Sequence, residues 1–447
     1  MIFLLAAILR FFDIGSNPKA MYGDELTLVY DAYSISQTTQ DQKGERFPLV
    51  FQLGAARPPG YVYATVPFAA ILGPTALAAR LISVLSGIGI VILLYLLTSE
   101  LLNKEVALFA ALLGAISPWG ISLSRAGFEA NFALFLTLLG IWTFFKGLKK
   151  PVWFILSALV FATAMQTYPT DRLTVPLLVS LLILINFKQI KDLAKKTNYL
   201  LTSLAVGILL FSFVLSLYLM FSIGGRDRFS TINIFQDANA QIASQKVSLE
   251  RNETGLPKAV GFIFHNKIIE ITGVFAKNYL DHFTLEFLFL NGDGNPRHNP
   301  TGMGQFYWIS LLLIIIGVAN LLKTNKKLLL FLSGSILVAP IAASLVGGAH
   351  ALRSSFMLPP LIILSAWGMW QMFNLKGSSQ GVKRYLVLIL LLTGLVQFVF
   401  LIERVYVMAP NVYASFWSLD AKQVALLAYD HKANFDFVLL SNDISNM

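Results

Sequence analysis

Ten apolar runs of helix-spanning length recur along the 447 residues, at about 78–98, 106–123, 130–146, 152–167, 173–187, 199–222, 306–322, 328–346, 355–373 and 385–402. A helix rising about 1.5 Å per residue needs roughly 20 such residues to cross a hydrocarbon core of about 30 Å. Only 13% of the residues are charged and 56% are hydrophobic, which excludes an ordinary soluble domain. The opening segment, Met1 to Leu9 ahead of Arg10, is too short to cross. It also lacks the basic flank and cleavage site of a signal peptide, and we take it as the end of a first helix that begins outside this sequence. The expectation is an all-α polytopic membrane protein with about eleven transmembrane helices.

The net charge of +10 is dispersed between the runs rather than gathered into a stripe, which argues against nucleic acid as a partner. If the chain starts inside, one set of short loops carries Lys104, Lys146, Lys149, Lys150, Lys188, Lys191, Lys195, Lys196, Lys323, Lys326, Lys327, Lys376, Lys383 and Arg384. The other set carries only Arg125, Arg172 and Arg353. Fourteen against three is a strong positive-inside bias and predicts a plasma-membrane, multi-pass chain. Asp24 and Glu25, the turn Ser124-Arg125-Ala126-Gly127-Phe128-Glu129, and His350 with Arg353 then share the external face. The runs hold almost no ionisable residue near their centres, which disfavours an ion-coupled carrier. There is no cysteine, hence no disulfide frame, thiolate metal site or cysteine nucleophile.

Four regions follow: an N-terminal membrane module (1–222), a long external loop (223–305), C-terminal membrane helices (306–404) and an external tail (405–447). In the first, Arg57-Pro58-Pro59-Gly60 precedes an apolar run, Val62 to Leu72, that is too short to span and ends at Gly73-Pro74. It predicts a half-inserted or interfacial helix. The long loop contains a helical segment near 265–281 and the tract Asn291-Gly292-Asp293-Gly294-Asn295-Pro296-Arg297-His298. The tail has helical periodicity from Asp420 to His431 and a strand-like stretch from Phe435 to Leu440, as if a small α/β domain began there.

Asp24-Glu25 after the first helix, Arg57-Pro58-Pro59 before a half-inserted helix, and Ser117-Pro118-Trp119 ahead of Ser124-Arg125 and Glu129 form an ordered set. In that set the chain resembles the C-type glycosyltransferases, above all the protein O-mannosyltransferases and the lipid A aminoarabinose transferases. The resemblance implies transfer of a sugar from a polyprenyl (undecaprenyl or dolichyl) phosphate to an acceptor hydroxyl at the non-cytoplasmic face, with inversion. The acceptor is left open among protein, lipid and glycan.

In that chemistry a carboxylate takes the acceptor's proton, a contribution of roughly 10²–10⁴ in rate, and Asp24 is the expected base. Glu129, with Glu25 as the lesser candidate, would help place donor or acceptor beside an oxocarbenium-like centre. The departing lipid phosphate needs cations. Arg57 stands where the resemblance places a phosphate-contacting lysine, and Arg353, His350 and Arg125 are further candidates, Arg125 alternatively pairing with Glu129. Arg297 and His298 are weaker candidates for acceptor or loop contacts. With no His-rich or multi-carboxylate cluster evident, no metal or other cofactor is expected. A lipid-linked sugar flippase and a cell-surface polysaccharide polymerase or ligase are the alternatives.

Overall fold

A computed structural model of the protein describes residues 1–52, 57–196, 199–221, 237–255, 257–374 and 380–434. Among these residues the structure is nearly all helical, with two isolated bridges, Gln40 to Arg46 and Phe51 to Arg57, and no strand. The first ten helices are α1 (Ile2–Phe11), α2 (Gly23–Thr38), α3 (Gly60–Leu72), α4 (Ala76–Leu101), α5 (Lys104–Ala115), α6 (Pro118–Ser124), α7 (Glu129–Gly147), α8 (Trp153–Met165), α9 (Asp171–Lys196) and α10 (Leu200–Phe221). Eight helices are long and apolar enough to cross a membrane, or nine if the bent pair α5 and α6 counts as one span. The expected eleven is thus not reproduced as a count. At three expected positions the helices Ile2–Phe11, Trp153–Met165 and Trp308–Thr324 are shorter. Conversely, the stretch Ala259–Leu290, expected in the external loop, passes the same test of length and composition.

Local chemistry explains the breaks. α3 runs from Pro59 at its N-cap to Gly73, whose φ of 69° stops the helix, so its 13 residues match the short helix expected there. The 57° bend between α5 and α6 falls at Ser117-Pro118, where the Ser117 hydroxyl accepts from the Gly120 amide and proline opens the new helix. Carbonyls left over at the end of α5 are satisfied by a side chain from α1. Buried Arg10 donates to the carbonyls of Gly114 and Ala115, both at 3.0 Å, and to the Ser124 hydroxyl at 3.2 Å.

The largest core cluster is drawn mainly from α4 to α9 and the helices Lys326–Val338 and Leu358–Phe373. Trp119 sits in it fully buried, its indole N–H donating to the Ala351 carbonyl at 3.1 Å and its ring edge-on to Phe287 and Phe306. The helices Trp308–Thr324 and Leu358–Phe373 cross backbone to backbone. A Cβ at Gly368 would lie 1.9 Å from the Leu313 carbonyl oxygen, and one at Gly317 2.2 Å from that of Leu364.

In the long loop, Lys267–Asp281 is the helix expected near 265–281, and none of its residues is buried. Leu419–His431 is the expected tail helix. The strand expected at 435–440 lies outside the described residues.

Candidate active site

Asp24 and Glu25 are adjacent in the first turn of α2, and the fold sends them to opposite environments. Glu25 is completely buried against Arg80 of α4, itself completely buried. The Arg80 Nε and Nη2 donate to the two Glu25 oxygens at 2.9 and 3.1 Å. Its remaining N–H groups reach the carbonyls of Ile14, Pro18 and Ala20. The Gly127 amide adds a third bond to Glu25 at 2.7 Å. A Cβ at Gly127 would lie 3.0 Å from the Ala79 carbonyl and 3.1 Å from Glu25 Cγ, so only glycine lets the turn before α7 come this close without displacing a neighbour. Glu25 therefore ties the segment between α1 and α2, α4 and the α7 turn together.

Asp24 points outward, its side chain 69% exposed. Arg57, only 5% exposed, donates from Nη2 to Asp24 Oδ1 and from Nη1 to the Asp24 carbonyl, both at 2.9 Å. The Arg57 Nε lies 3.9 Å from Glu129 Oε1, at the first turn of α7. One guanidinium thus stands between two carboxylates, each favoured by the positive end of its own helix. The Phe51–Arg57 bridge fixes the backbone that carries Arg57. Asp24 Oδ2 has no hydrogen-bond partner among the described residues, and the side chain is exposed.

An aromatic wall borders this trio. Tyr22 packs against Phe128 at 6.0 Å and Trp417 at 5.7 Å between ring centroids, and the Arg297 guanidinium lies 4.8 Å over the Tyr22 ring. Burial, and then the charges of Asp24, Glu25 and Glu129, push the Tyr22 hydroxyl well above its ordinary pKa, so it keeps its proton.

Behind Phe128 lies His298, ring centroids 5.9 Å apart. His298 Nδ1 bonds Asp293 Oδ2 at 2.8 Å, and the His350 ring is 4.7 Å from the His298 ring. Burial alone would raise the Asp293 pKa, but the hydrogen bond and charge of His298 and the Ala351 amide hold it down to about 2. Burial, then the charges of Arg353 and His298, push His350 down to about 3, so it is neutral at physiological pH. Arg353 is half-buried and makes no hydrogen bond or ion pair with a described residue.

Of the residues singled out in the sequence, Asp24, Arg57 and Glu129 therefore form one site. Arg297, His298, His350 and Arg353 belong to the adjoining wall. Arg125 turns away: its guanidinium donates to the carbonyls of Phe12 and Asn17 at 2.8 and 2.9 Å and lies 4.5 Å over the Tyr406 ring. Glu25 and Arg125 serve the scaffold here.

Residues 56–217 match the family model described as dolichyl-phosphate-mannose-protein mannosyltransferase. No curated protein matches the sequence significantly. Among solved structures, the archaeal oligosaccharyltransferase AglB from Archaeoglobus fulgidus, in complex with an inhibitory peptide and a dolichol-phosphate, superposes with a TM-score of 0.55 at 14% identity, over 90% of this chain and 54% of that one. ArnT from Cupriavidus metallidurans in the apo state gives 0.54 at 14% identity, over 96% of this chain and 70% of that one. The chain has the C-type glycosyltransferase fold. It spans about half the length of the archaeal oligosaccharyltransferase it matches. Within this C-type fold the family match contains Arg57, Arg80, Arg125 and Glu129, whereas Asp24 and the Asp293 cluster lie outside it.

Sequence reasoning missed Arg80, Tyr22, Asp293 and Trp417. Arg80 carried a signal, an arginine at the margin of an apolar run, where a charge must be paired. Trp417 carried none, since only the folded chain brings the tail over Tyr22.

Proposed function

We propose that this protein is a membrane glycosyltransferase, mannosyltransferase-like in type, that moves a sugar from a polyprenyl phosphate to an acceptor hydroxyl on the external face of the plasma membrane. The observation that carries the reading is the trio itself: an exposed carboxylate, Asp24, steadied by a buried arginine that also faces Glu129. ArnT from Cupriavidus metallidurans has also been solved bound to undecaprenyl phosphate, and its similarity to this chain (TM-score 0.50) supports a lipid phosphate as donor. The acceptor class, protein, lipid or glycan, stays open within the proposal. An archaeal oligosaccharyltransferase structure tethered to an acceptor peptide gives the protein class its support.

In the proposed step the acceptor oxygen bonds to the anomeric carbon from the face opposite the phosphate. The carbon–phosphate oxygen bond breaks with its electron pair going to the lipid phosphate. Asp24 Oδ2 takes the hydroxyl proton, while Arg57 holds Oδ1 and fixes the angle of the carboxylate. Glu129 faces the developing positive charge at the anomeric centre. Arg353, which pairs with no described residue, meets the departing phosphate. No divalent ion is needed between the carboxylates, because the Arg57 guanidinium already fills that position with positive charge.

The test is transfer of radiolabelled sugar from polyprenyl phosphate donors to membrane acceptors, comparing wild type with Asp24→Asn at equal folded amounts. Loss of roughly a hundredfold or more is expected for removal of a general base. No turnover by the wild type with any donor, or an unaffected variant, overturns the proposal.

A further inference from the structure

Asp293 and His298 come from the long loop and His350 from the turn before the helix Leu358–Phe373, and the fold brings all three together. One ligand atom from each lies within 4.8 Å of the others. Both imidazoles converge on a single oxygen: Asp293 Oδ2 is 2.8 Å from His298 Nδ1 and 3.8 Å from His350 Nδ1. The other carboxylate oxygen, Oδ1, is occupied by the Asn295 amide, and the Ala351 amide reaches Oδ2 at 2.8 Å, so the carboxylate is fixed in orientation. The His350 Nδ1 is buried without a hydrogen-bond partner among the described residues. A buried, unsatisfied ring nitrogen aimed at a carboxylate calls for a physical reason.

We propose that Asp293, His298 and His350 bind a zinc-type transition-metal dication that clamps the long loop to the turn carrying Arg353. Two imidazoles and one carboxylate suit zinc and its neighbours, whereas magnesium and calcium prefer all-oxygen sites. In tetrahedral zinc with bonds of about 2.0–2.1 Å, neighbouring ligand atoms sit roughly 3.4 Å apart. The 3.8 Å approach of His350 needs to close by about 0.4 Å and the 2.8 Å contact of His298 to open by about 0.6 Å. Three protein ligands leave a fourth position to solvent or an anion. The clamp stands apart from the Asp24 trio and is independent of whether the protein transfers sugars.

The experiment is metal analysis of the purified full chain in detergent, after zinc loading and removal of free metal, for wild type, Asp293→Asn and His350→Gln. Cobalt substitution, read by the intensity of its visible absorption, reports whether the bound ion is four-coordinate. One equivalent per chain in the wild type, a fall of at least tenfold in retained metal for both variants, and a wild-type melting temperature raised by zinc but not magnesium are expected. Wild type that is folded yet retains less than about a tenth of an equivalent overturns the proposal, as does full retention by both variants. Should the variants fail to fold, the wild-type stoichiometry and cobalt spectrum still decide.

Discussion

Replacing Glu25 by glutamine tests the division of labour between two neighbouring carboxylates. Glu25 and Arg80 are both fully buried, and Glu25 accepts three hydrogen bonds, two from Arg80 and one from the Gly127 amide. Glutamine keeps the volume but removes the charge and turns an N–H donor group toward the guanidinium. Breaking a buried pair from one side costs about 3–5 kcal/mol, because the remaining charge is stranded. At an unfolding entropy of about 2.1 cal/mol/K per residue over the whole chain, that corresponds to a fall of ~3–5 °C in melting temperature. Tryptophan fluorescence melting in detergent measures it, alongside transfer activity per folded molecule. Asp24→Asn, at an exposed side chain, should leave the melting temperature unchanged while abolishing transfer. A Glu25→Gln protein that melts within about 1 °C of wild type yet has lost transfer would refute the assignment and return Glu25 to the chemistry.

Three further outcomes are expected. Arg57→Ala should lower transfer by roughly 10²-fold or more, and Arg57→Lys by about tenfold, since an ammonium cannot hold the Asp24 carbonyl and carboxylate together in a planar fork; steady-state transfer rates check both. Gly368→Leu should destabilise the protein by more than the usual 1–3 kcal/mol of overpacking, because the clash is with backbone carbonyl rather than a flexible side chain; yield of monodisperse protein and its melting temperature report this. Trp119→Phe should cost about 1–3 kcal/mol, as it leaves the fully buried Ala351 carbonyl without the indole N–H. Thermal melting checks it.

The sequence was most informative where one physical rule dominates. Apolar length placed most of the long helices, though not Ala259–Leu290, and Pro59 and Gly73 marked both ends of α3, because hydrocarbon thickness and backbone geometry leave few alternatives. The carboxylates were visible because acidic residues are conspicuous beside apolar runs. Their division of labour was not. Asp24 and Glu25 are the same chemical type on consecutive positions, and only the arrival of Arg80 from one side and Arg57 from the other separates a structural carboxylate from an exposed one. Arg125 illustrates the same limit: its charge was legible, but its acceptors are backbone carbonyls near the end of α1, which carry no sequence mark.

The buried arginines also explain how the site can be rigid without strands among the described residues. Segments 12–22 and 125–128 are irregular backbone beside a helix bundle, where unpaired carbonyls would favour solvent and motion. Arg10, Arg80 and Arg125 each present a fixed fork of donors, and together they collect carbonyls from Phe12, Ile14, Asn17, Pro18, Ala20, Gly114 and Ala115. Every one of these bonds lies behind the trio rather than in it. The rigidity of the backbone leading into Asp24 is therefore supplied by cations outside the trio, whereas Arg57 bonds the Asp24 carboxylate itself.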